Sequence, residues 1–184
     1  MLVKMFSHGT GDSTAAFKYL LNNRVSEGTS KVLRGSASVT KTLVKSIKTR
    51  QKYKSGCLSF EEENITSKQK EEIMDLFEKV IFPGIPSEYR NICWVEHTDK
   101  GRLELNFVIP RIELFSSKTF NPYYHFKDKN RLSLLRDLVN QKYGFSSPLD
   151  PNKQQSIQLG DMIKYKKVDH IKKLDLYIQN MIKK

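Results

Sequence analysis

Two regular spacings of apolar residues predict a protein that combines helices and strands. Apolar residues recur at i, i+3, i+4, i+7 and i+8 from Ile73 to Ile81, and a capping-box pattern at Thr66 and Gln69 precedes them. This spacing predicts an amphipathic helix. Apolar and polar residues alternate along Leu103–Ile109, as they do in a strand with one buried face. The chain therefore needs a core between a helix layer and a sheet.

Weaker patterns supply the other elements. In chain order they predict a strand over Leu2–Phe6, a helix over Thr14–Asn22, a loop over Val25–Ser38, a basic helix over Val39–Lys54, a strand over Gly56–Phe60, a helix over Asn130–Tyr143 that ends at Gly144, a linker over Phe145–Gln158 and a final basic helix over Leu159–Lys184.

A hairpin joins two of the predicted strands. Ile92–Thr98 precedes the turn-like residues 99–102, and a turn of two or four residues there places His97 directly opposite Glu104. Asn106 lies two residues farther along the same face, so the three polar side chains share that face. An odd-length turn would move His97 to the other face.

These three side chains have the chemistry of a hard metal site. An imidazole, a carboxylate and an amide oxygen suit Mg²⁺ or Mn²⁺, and they lack the thiolates and multiple imidazoles of a dedicated zinc site. The alternative is an ordinary solvated face of a hairpin. The same register places Glu96 beside Leu105 on the apolar face, so Glu96 must lie near the sheet edge or pair with a basic residue.

Tyr19 is the second candidate for chemistry. On a helical wheel Phe17, Leu20 and Leu21 form the apolar stripe, and Tyr19 lies roughly opposite to it. Its phenol must therefore be exposed or face a cleft. An ordinary exposed tyrosine is the alternative.

Composition narrows the class of partner. The 184 residues carry 32 Lys and Arg against 20 Asp and Glu, a formal net charge of +12, which favours nucleic acid first and an anionic membrane surface second. No apolar run reaches the ~18 residues of a membrane helix, and the two cysteines make neither a disulfide framework nor a metal knuckle. We expect a cytoplasmic protein with no membrane insertion.

The hairpin and the first helix resemble the motifs of a known family. Glu96–Pro110 is similar to the metal motif of plasmid mobilisation relaxases of the HUH superfamily, and the helix with Tyr19 is similar to their nucleophile motif. His97, Glu104 and Asn106 match the subgroup on small colicin-type plasmids, in which His-Glu-Asn replaces three histidines. The resemblance covers most of residues 1–145.

The resemblance implies a fold and an activity. The fold is a palm-like α+β domain over residues 1–145, shared with rolling-circle initiators, in which helices flank an antiparallel sheet of about five strands. The activity is site- and strand-specific nicking at a plasmid origin of transfer. Tyr19 would form a 5′-phosphotyrosyl intermediate that can be rejoined, with Mg²⁺ or Mn²⁺ held by the His-Glu-Asn set. Residues 146–184 would begin the remainder of a longer protein.

The resemblance also gives roles to further residues and partners. Single-stranded DNA is the expected partner, with accessory mobilisation proteins and a type IV coupling protein, and no small-molecule substrate is expected. Glu96 and Asp99 can orient the imidazole of His97 through its second nitrogen. The residues that can neutralise phosphates or stack bases are Lys41, Lys45, Lys48, Arg50, Lys52, Lys54, Tyr53, Tyr123 and Tyr124.

Two other functions fit the same residues. A non-catalytic module could hold single-stranded or hairpin DNA on the basic surface. A metal-dependent endonuclease could use water as its nucleophile. The role of Tyr19 separates the relaxase from both of these alternatives, since only the relaxase requires the phenol.

Overall fold

The first 147 residues contain all the helices and strands described below. A computed structural model of the protein describes residues 1–98, 101–147 and 150, together with Lys173, Leu176, Asn180 and Met181, which are helical and exposed. The chain divides into two compact units, Met1–Ser147 and Pro148–Lys184. Most of the predicted linker Phe145–Gln158 beyond Ser147, and most of the predicted helix Leu159–Lys184, lie outside the described residues.

Five strands and four helices build the first unit. The strands are β1 (Leu2–Met5), β2 (Ser30–Arg34), β3 (Tyr53–Ser59), β4 (Cys93–His97) and β5 (Glu104–Pro110). The helices are α1 (Thr14–Leu21), α2 (Ala37–Ser46), α3 (Ser67–Ile81) and α4 (His125–Tyr143).

The strands form one antiparallel sheet in the order β1-β3-β5-β4-β2. The candidate hairpin strand β5 is therefore central, and β1 and β2 are the edges. The predicted α+β fold with five antiparallel strands is confirmed.

One face of the sheet carries the main core. Leu105, Phe107 and Ile109 of β5 are fully buried there among residues of α3 and α4, as their alternation predicts. The ring of Phe77 lies 5.2 Å from that of Trp94 and 4.6 Å from that of Phe107, centroid to centroid. The predicted capping box of Thr66 and Gln69 starts α3.

The opposite face carries a smaller apolar cluster. Phe17 and Leu20 of α1 pack on Cys93, Val95 and Val108. The apolar stripe of α1 thus faces the sheet, which fixes the helix beside the hairpin.

Three of the predicted elements are wrong in part. The predicted loop Val25–Ser38 contains the edge strand β2, which pairs with β4. The predicted basic helix Val39–Lys54 is two elements, because α2 ends at Ser46 and the chain enters β3 at Tyr53. The helix predicted over Asn130–Tyr143 begins five residues earlier, at His125.

Candidate active site

The hairpin has the predicted register. His97 pairs with Glu104 and Val95 pairs with Asn106, so His97, Glu104 and Asn106 stand on the face that α1 partly covers. His97 is 2% exposed and Asn106 is 4% exposed. Their polar atoms are therefore largely withdrawn from solvent.

The end of α1 is hydrogen-bonded to the hairpin. The carbonyl of Leu20 accepts from Nε2 of His97 at 2.8 Å and from Oγ of Ser30 at 2.7 Å. The last carbonyls of a helix have no partner within it, so these two side chains satisfy one of them. A carbonyl can only accept, so Nε2 is the donor in this bond, and Nδ1 is the ring nitrogen left to face a ligand.

Tyr19 is exposed beside His97, as predicted. Its side chain is 51% exposed, and its ring centroid lies 6.1 Å from that of His97. The guanidinium of Arg24 lies 4.8 Å from the centroid of the phenol ring, and its Nη1 donates to the carbonyl of Tyr19 at 2.6 Å. Arg24 thus restrains both the backbone and the ring of Tyr19.

A cleft of about 360 Å³ brings the candidate residues together. Tyr19, Glu104 and Asn106 line it, together with Lys4 and Phe6 of the β1 edge. His97 is not one of its lining residues; it lies under α1, in contact with Tyr19 and Leu20.

Gly56 of β3 passes beneath the cleft, and packing on the opposite face of the sheet requires it to be a glycine. A Cβ on Gly56 would lie 2.3 Å from the carbonyl oxygen of Lys4 and 2.5 Å from Cζ of Phe107. Only glycine lets β1 and the Phe107 ring approach this closely.

Glu104 and Asn106 each retain capacity to bind a ligand. Oε1 of Glu104 accepts from Nε and Nη2 of Arg102, at 3.0 and 2.9 Å, which leaves Oε2 for another partner. Nδ2 of Asn106 is buried without a hydrogen-bond partner. A buried unpaired amide is costly unless a ligand satisfies it.

These residues fit a hard divalent ion. No group of three His, Cys, Asp or Glu side chains that could hold a metal exists in the described residues. A metal on this face therefore needs the amide of Asn106 as a ligand, which rotation about its last bond can present through oxygen. The donor set is then one nitrogen and two oxygens, which suits Mg²⁺ or Mn²⁺.

Of the two residues expected to orient the imidazole of His97, Glu96 is in the wrong place to do so. Glu96 lies on the opposite face, ion-paired with Lys70 of α3. It cannot orient an imidazole on the other side of the sheet, and the carbonyl of Leu20 takes that place. The pairing itself confirms that Glu96 needs a basic partner. Asp99 lies outside the described residues.

The basic residues are more scattered than a single helix would place them. Lys45 of α2 is exposed, as are Lys48 and Arg50 in the segment that follows, whereas Lys52 is half-buried. Nζ of Lys41 lies 5.5 Å from the centroid of the Phe17 ring. The exposed members remain predicted phosphate contacts.

Lys54 cannot line an open groove. It is 5% exposed, and its Nζ donates to the carbonyl of Phe6. Burial lowers the pKa of Lys54, and the charge of Arg111 lowers it further. Burial also lowers the pKa of the nearby His8, and the positive charges of Lys54 and Arg111 lower it further. Three basic groups therefore lie close together here, and each disfavours a positive charge on its neighbours.

The candidate stacking tyrosines differ in exposure. Tyr123 is buried in the α3/α4 core, and its hydroxyl lies 3.0 Å from Nδ1 of His125, so it is not available to a base. Tyr53 is half-buried, against Gly9. Tyr124 is half exposed beside the ring of Phe126 and remains a stacking candidate.

Sequence analysis missed four residues of the site. Ser30 and Arg24 act on the backbone of α1, and no spacing in the sequence signals such contacts. Lys4 and Phe6 alternate on the predicted first strand, which was a usable signal. That alternation alone does not show which strand lies beside β1, and only the pairing of β1 with β3 places Lys4 and Phe6 at the cleft.

Comparisons with known proteins find related plasmid proteins. The family model of the MobA/VirD2-like relaxase nuclease domain matches residues 18–145. The cryptic plasmid protein C of Neisseria gonorrhoeae is 45% identical over 157 residues, 85% of this chain and 77% of that protein. The DNA relaxase MbeA of Escherichia coli is 38% identical over 161 residues.

The match to MbeA covers most of this chain but only a small part of MbeA. The matched region is 88% of this chain and 31% of MbeA, so the chain spans less than a third of that relative. No solved structure matches the chain. No helix among the described residues is both long and apolar enough to cross a membrane. Because the family model covers well over half of its residues, the chain belongs to the MobA/VirD2-like relaxases and is a DNA-nicking enzyme that carries their nuclease domain.

Proposed function

We propose that this domain nicks one DNA strand at a plasmid origin of transfer by transesterification on Tyr19. The observation that carries the proposal is the position of Tyr19. Its exposed phenol lines the same cleft as Glu104 and Asn106, and its helix is hydrogen-bonded to His97.

The reaction exchanges one phosphodiester for another. Oη of Tyr19 attacks the scissile phosphorus, the bond from phosphorus to the 3′ oxygen breaks, and the phenolic proton ends on the released 3′-hydroxyl. The 5′ end stays linked to Tyr19, and the reverse attack by a 3′-hydroxyl rejoins the strand. Little free energy is lost, so rejoining needs no ATP.

Position supplies part of the catalysis. A phenol is a weak nucleophile, so the attacking group must be held in the correct position. The hydrogen bonds from His97 and Ser30 to the carbonyl of Leu20 fix the end of α1 one residue after Tyr19. Arg24 restrains the ring from the other side.

We propose His97, Glu104 and Asn106 as the ligands of a divalent ion. Mg²⁺ or Mn²⁺ bound there would supply positive charge for the non-bridging oxygens of the phosphate. The buried Nδ2 of Asn106 has no partner, so no hydrogen bond of Nδ2 opposes the rotation that would present the amide oxygen to the ion. Arg102 holds Oε1 of Glu104 and keeps the carboxylate near the cleft.

The partners follow from the same activity. Single-stranded DNA at the origin of transfer is the proposed substrate, and Lys45, Lys48, Arg50 and the ring of Tyr124 are its proposed outer contacts. The full-length protein is proposed to work in the cytoplasm with accessory mobilisation proteins and a type IV coupling protein.

An SDS-stable DNA adduct tests the proposal. Wild-type protein, Mn²⁺ and a single-stranded oligonucleotide that spans the origin should give a shifted protein band, and Tyr19→Phe should abolish both the band and the cleavage. Tyr89→Phe, at a tyrosine that packs on the ring of Phe115 and does not line the cleft, is the matched control and should retain the adduct. Cleavage that persists in Tyr19→Phe would identify water as the nucleophile, and binding without any cleavage would identify a non-catalytic module.

The metal ligands need a separate measurement. His97→Ala and Asn106→Ala should bind the oligonucleotide but lose adduct formation in Mn²⁺. Normal nicking by either variant would remove that residue from the proposed ligand set.

A further inference from the structure

We propose that Lys4, on the edge strand β1, is a further catalytic residue whose ammonium group binds the non-bridging oxygens of the scissile phosphate. The inference rests on the proposed function, since it assigns Lys4 to the transesterification on Tyr19.

Strand register places Lys4 on the site face. Lys4 pairs with Cys57 of β3, and Cys57 pairs with Asn106 of β5, so the three residues form one row across the sheet. Side chains in such a row point to the same face. Two interstrand steps separate the Cα atoms of Lys4 and Asn106 by about 10 Å, and the four-carbon stem of lysine extends into that gap.

The cleft confirms that placement. Lys4, Tyr19, Glu104 and Asn106 line the same cavity of about 360 Å³. A phosphate in this cavity would lie between the phenol, which α1 brings from one side, and the ammonium, which β1 brings from the other.

Lys4 is free to take a ligand. Its side chain is exposed, and in the described part of the chain it has no hydrogen-bond or ion-pair partner. Two other cations close to this part of the sheet are already engaged. Arg102 pairs with Glu104, and Lys54 donates to the carbonyl of Phe6.

The reaction needs such a cation. Attack by the phenol increases the negative charge on the non-bridging oxygens, and a positioned cation stabilises that charge most where it develops. Glu104 adds a negative charge to the same cleft and is itself paired with Arg102, so the ammonium of Lys4 would add to the positive charge that the proposed metal ion supplies.

Phe6 indicates that the ligand is a nucleic acid strand. It follows Lys4 by two residues, lines the same cavity and is 46% exposed. Its backbone N–H donates to the carbonyl of Ser55 at 2.9 Å, which extends the β1–β3 pairing by one residue. An exposed aromatic ring beside a free cation on a sheet edge suits a base and its phosphate.

Single-turnover kinetics with four proteins test the inference. Wild type, Lys4→Gln, Lys4→Arg and Lys31→Gln are mixed with the origin oligonucleotide in Mn²⁺, and the saturated rate of adduct formation and the dissociation constant are measured separately. Lys31 is the matched control, because it is an exposed lysine on the other edge strand, β2, with its side chain on the opposite face.

We expect Lys4→Gln to lower the saturated rate roughly 10²-fold and to weaken binding by less than about threefold. Lys4→Arg keeps the charge and should recover most of the rate, and Lys31→Gln should match wild type. Recovery by Lys4→Arg also excludes misfolding as the cause of the loss.

The possible failures are distinguishable. If wild type forms no adduct, the proposed function fails and the role of Lys4 fails with it. If wild type forms the adduct and Lys4→Gln forms it at the same saturated rate, the inference alone is overturned. A loss that appears only in the dissociation constant also overturns it, because it limits Lys4 to binding the strand before reaction.

Discussion

The two faces of the sheet differ in how completely their side chains are buried and their polar groups are paired. The face under α3 and α4 buries Leu105, Phe107 and Trp94 completely, and its buried carboxylate, Glu78, is fully partnered. The face under α1 has a small apolar cluster, an open cleft and a buried amide without a partner. Stability is concentrated on one face, which leaves the other free to hold reactive groups near solvent.

The largest difference should appear between neighbouring residues of β5. Leu105→Ala removes a fully buried side chain from the α3/α4 core and should cost about 2–5 kcal/mol of unfolding free energy. Asn106→Ala, on the other face, removes an unpaired amide and should change that free energy by less than about 1 kcal/mol. Urea denaturation followed by the fluorescence of Trp94 measures both. Equal losses would remove the distinction between the faces.

Glu78 tests how much the partnered charge stabilises the core face. Its carboxylate accepts from Nε1 of Trp94 at 3.0 Å and pairs with Arg34 and Arg90, at 2.9 and 3.2 Å. Glu78→Gln keeps the acceptor for Trp94 but removes the charge, and should cost about 2 kcal/mol, since both arginines are partly exposed.

The matched control for Glu78 lies on the same helix. Glu72 forms an exposed pair with Lys142 at 2.9 Å and accepts from the hydroxyl of Tyr143, and Glu72→Gln should change stability less than Glu78→Gln does. A larger loss for Glu72→Gln than for Glu78→Gln in the same urea titration would contradict the burial argument.

Ser30 sharpens the comparison on the site face. Ser30→Ala removes the hydrogen bond to the carbonyl of Leu20 and should cost about 1 kcal/mol. Because α1 carries Tyr19, the rate of adduct formation should fall as well, while hydrogen exchange at the end of α1 becomes faster. Ser26→Ala, which removes an exposed hydrogen bond to Asn23, should affect neither. Unchanged adduct formation in Ser30→Ala would separate this contact from catalysis.

The smallest effect should be a pH dependence from His8. Its folded pKa is lowered from 6.5, first by burial and then by Lys54 and Arg111. Between the folded pKa and 6.5 the unfolded chain binds more protons, so unfolding free energy should rise with pH through this window and level off above it. His8→Asn should flatten this rise in urea titrations between pH 5 and pH 7. An unchanged slope would contradict the assignment.

Sequence pattern predicted the hairpin and the main helix because each signal is local and strong. The alternation along β5 and an even turn determine that His97 faces Glu104. The wheel of α1 placed Tyr19 away from its apolar stripe, and the phenol is indeed exposed. In each case one face of one element decides the outcome.

The errors arise where contacts between residues far apart in the chain determine the secondary structure or the burial of a side chain. β2 is a five-residue edge strand between Gly28 and Gly35, and its pairing with β4 supplies what its own sequence does not signal. The basic helix was overextended because lysines continue past Ser46. Lys54 looks like a surface residue in the sequence, yet it is buried on β3.

Sequence analysis proposed the candidate residues of the site but not the groups that hold them in place. Donor chemistry and spacing singled out His97, Glu104 and Asn106. The carbonyl of Leu20, which holds Nε2 of His97, lies 77 residues away in the chain. A backbone group has no sequence signature, so only the fold could show that it, and not Glu96, orients the imidazole.

Mapping the DNA adduct tests the central claim most directly. Trypsin cuts after Lys18 and Arg24, so Tyr19 falls in the six-residue peptide Tyr19–Arg24. After reaction with the origin oligonucleotide and nuclease trimming, mass spectrometry should find a nucleotide joined through its 5′-phosphate to that peptide. A nucleotide on any other peptide, or cleaved DNA with no modified peptide at all, would contradict the account.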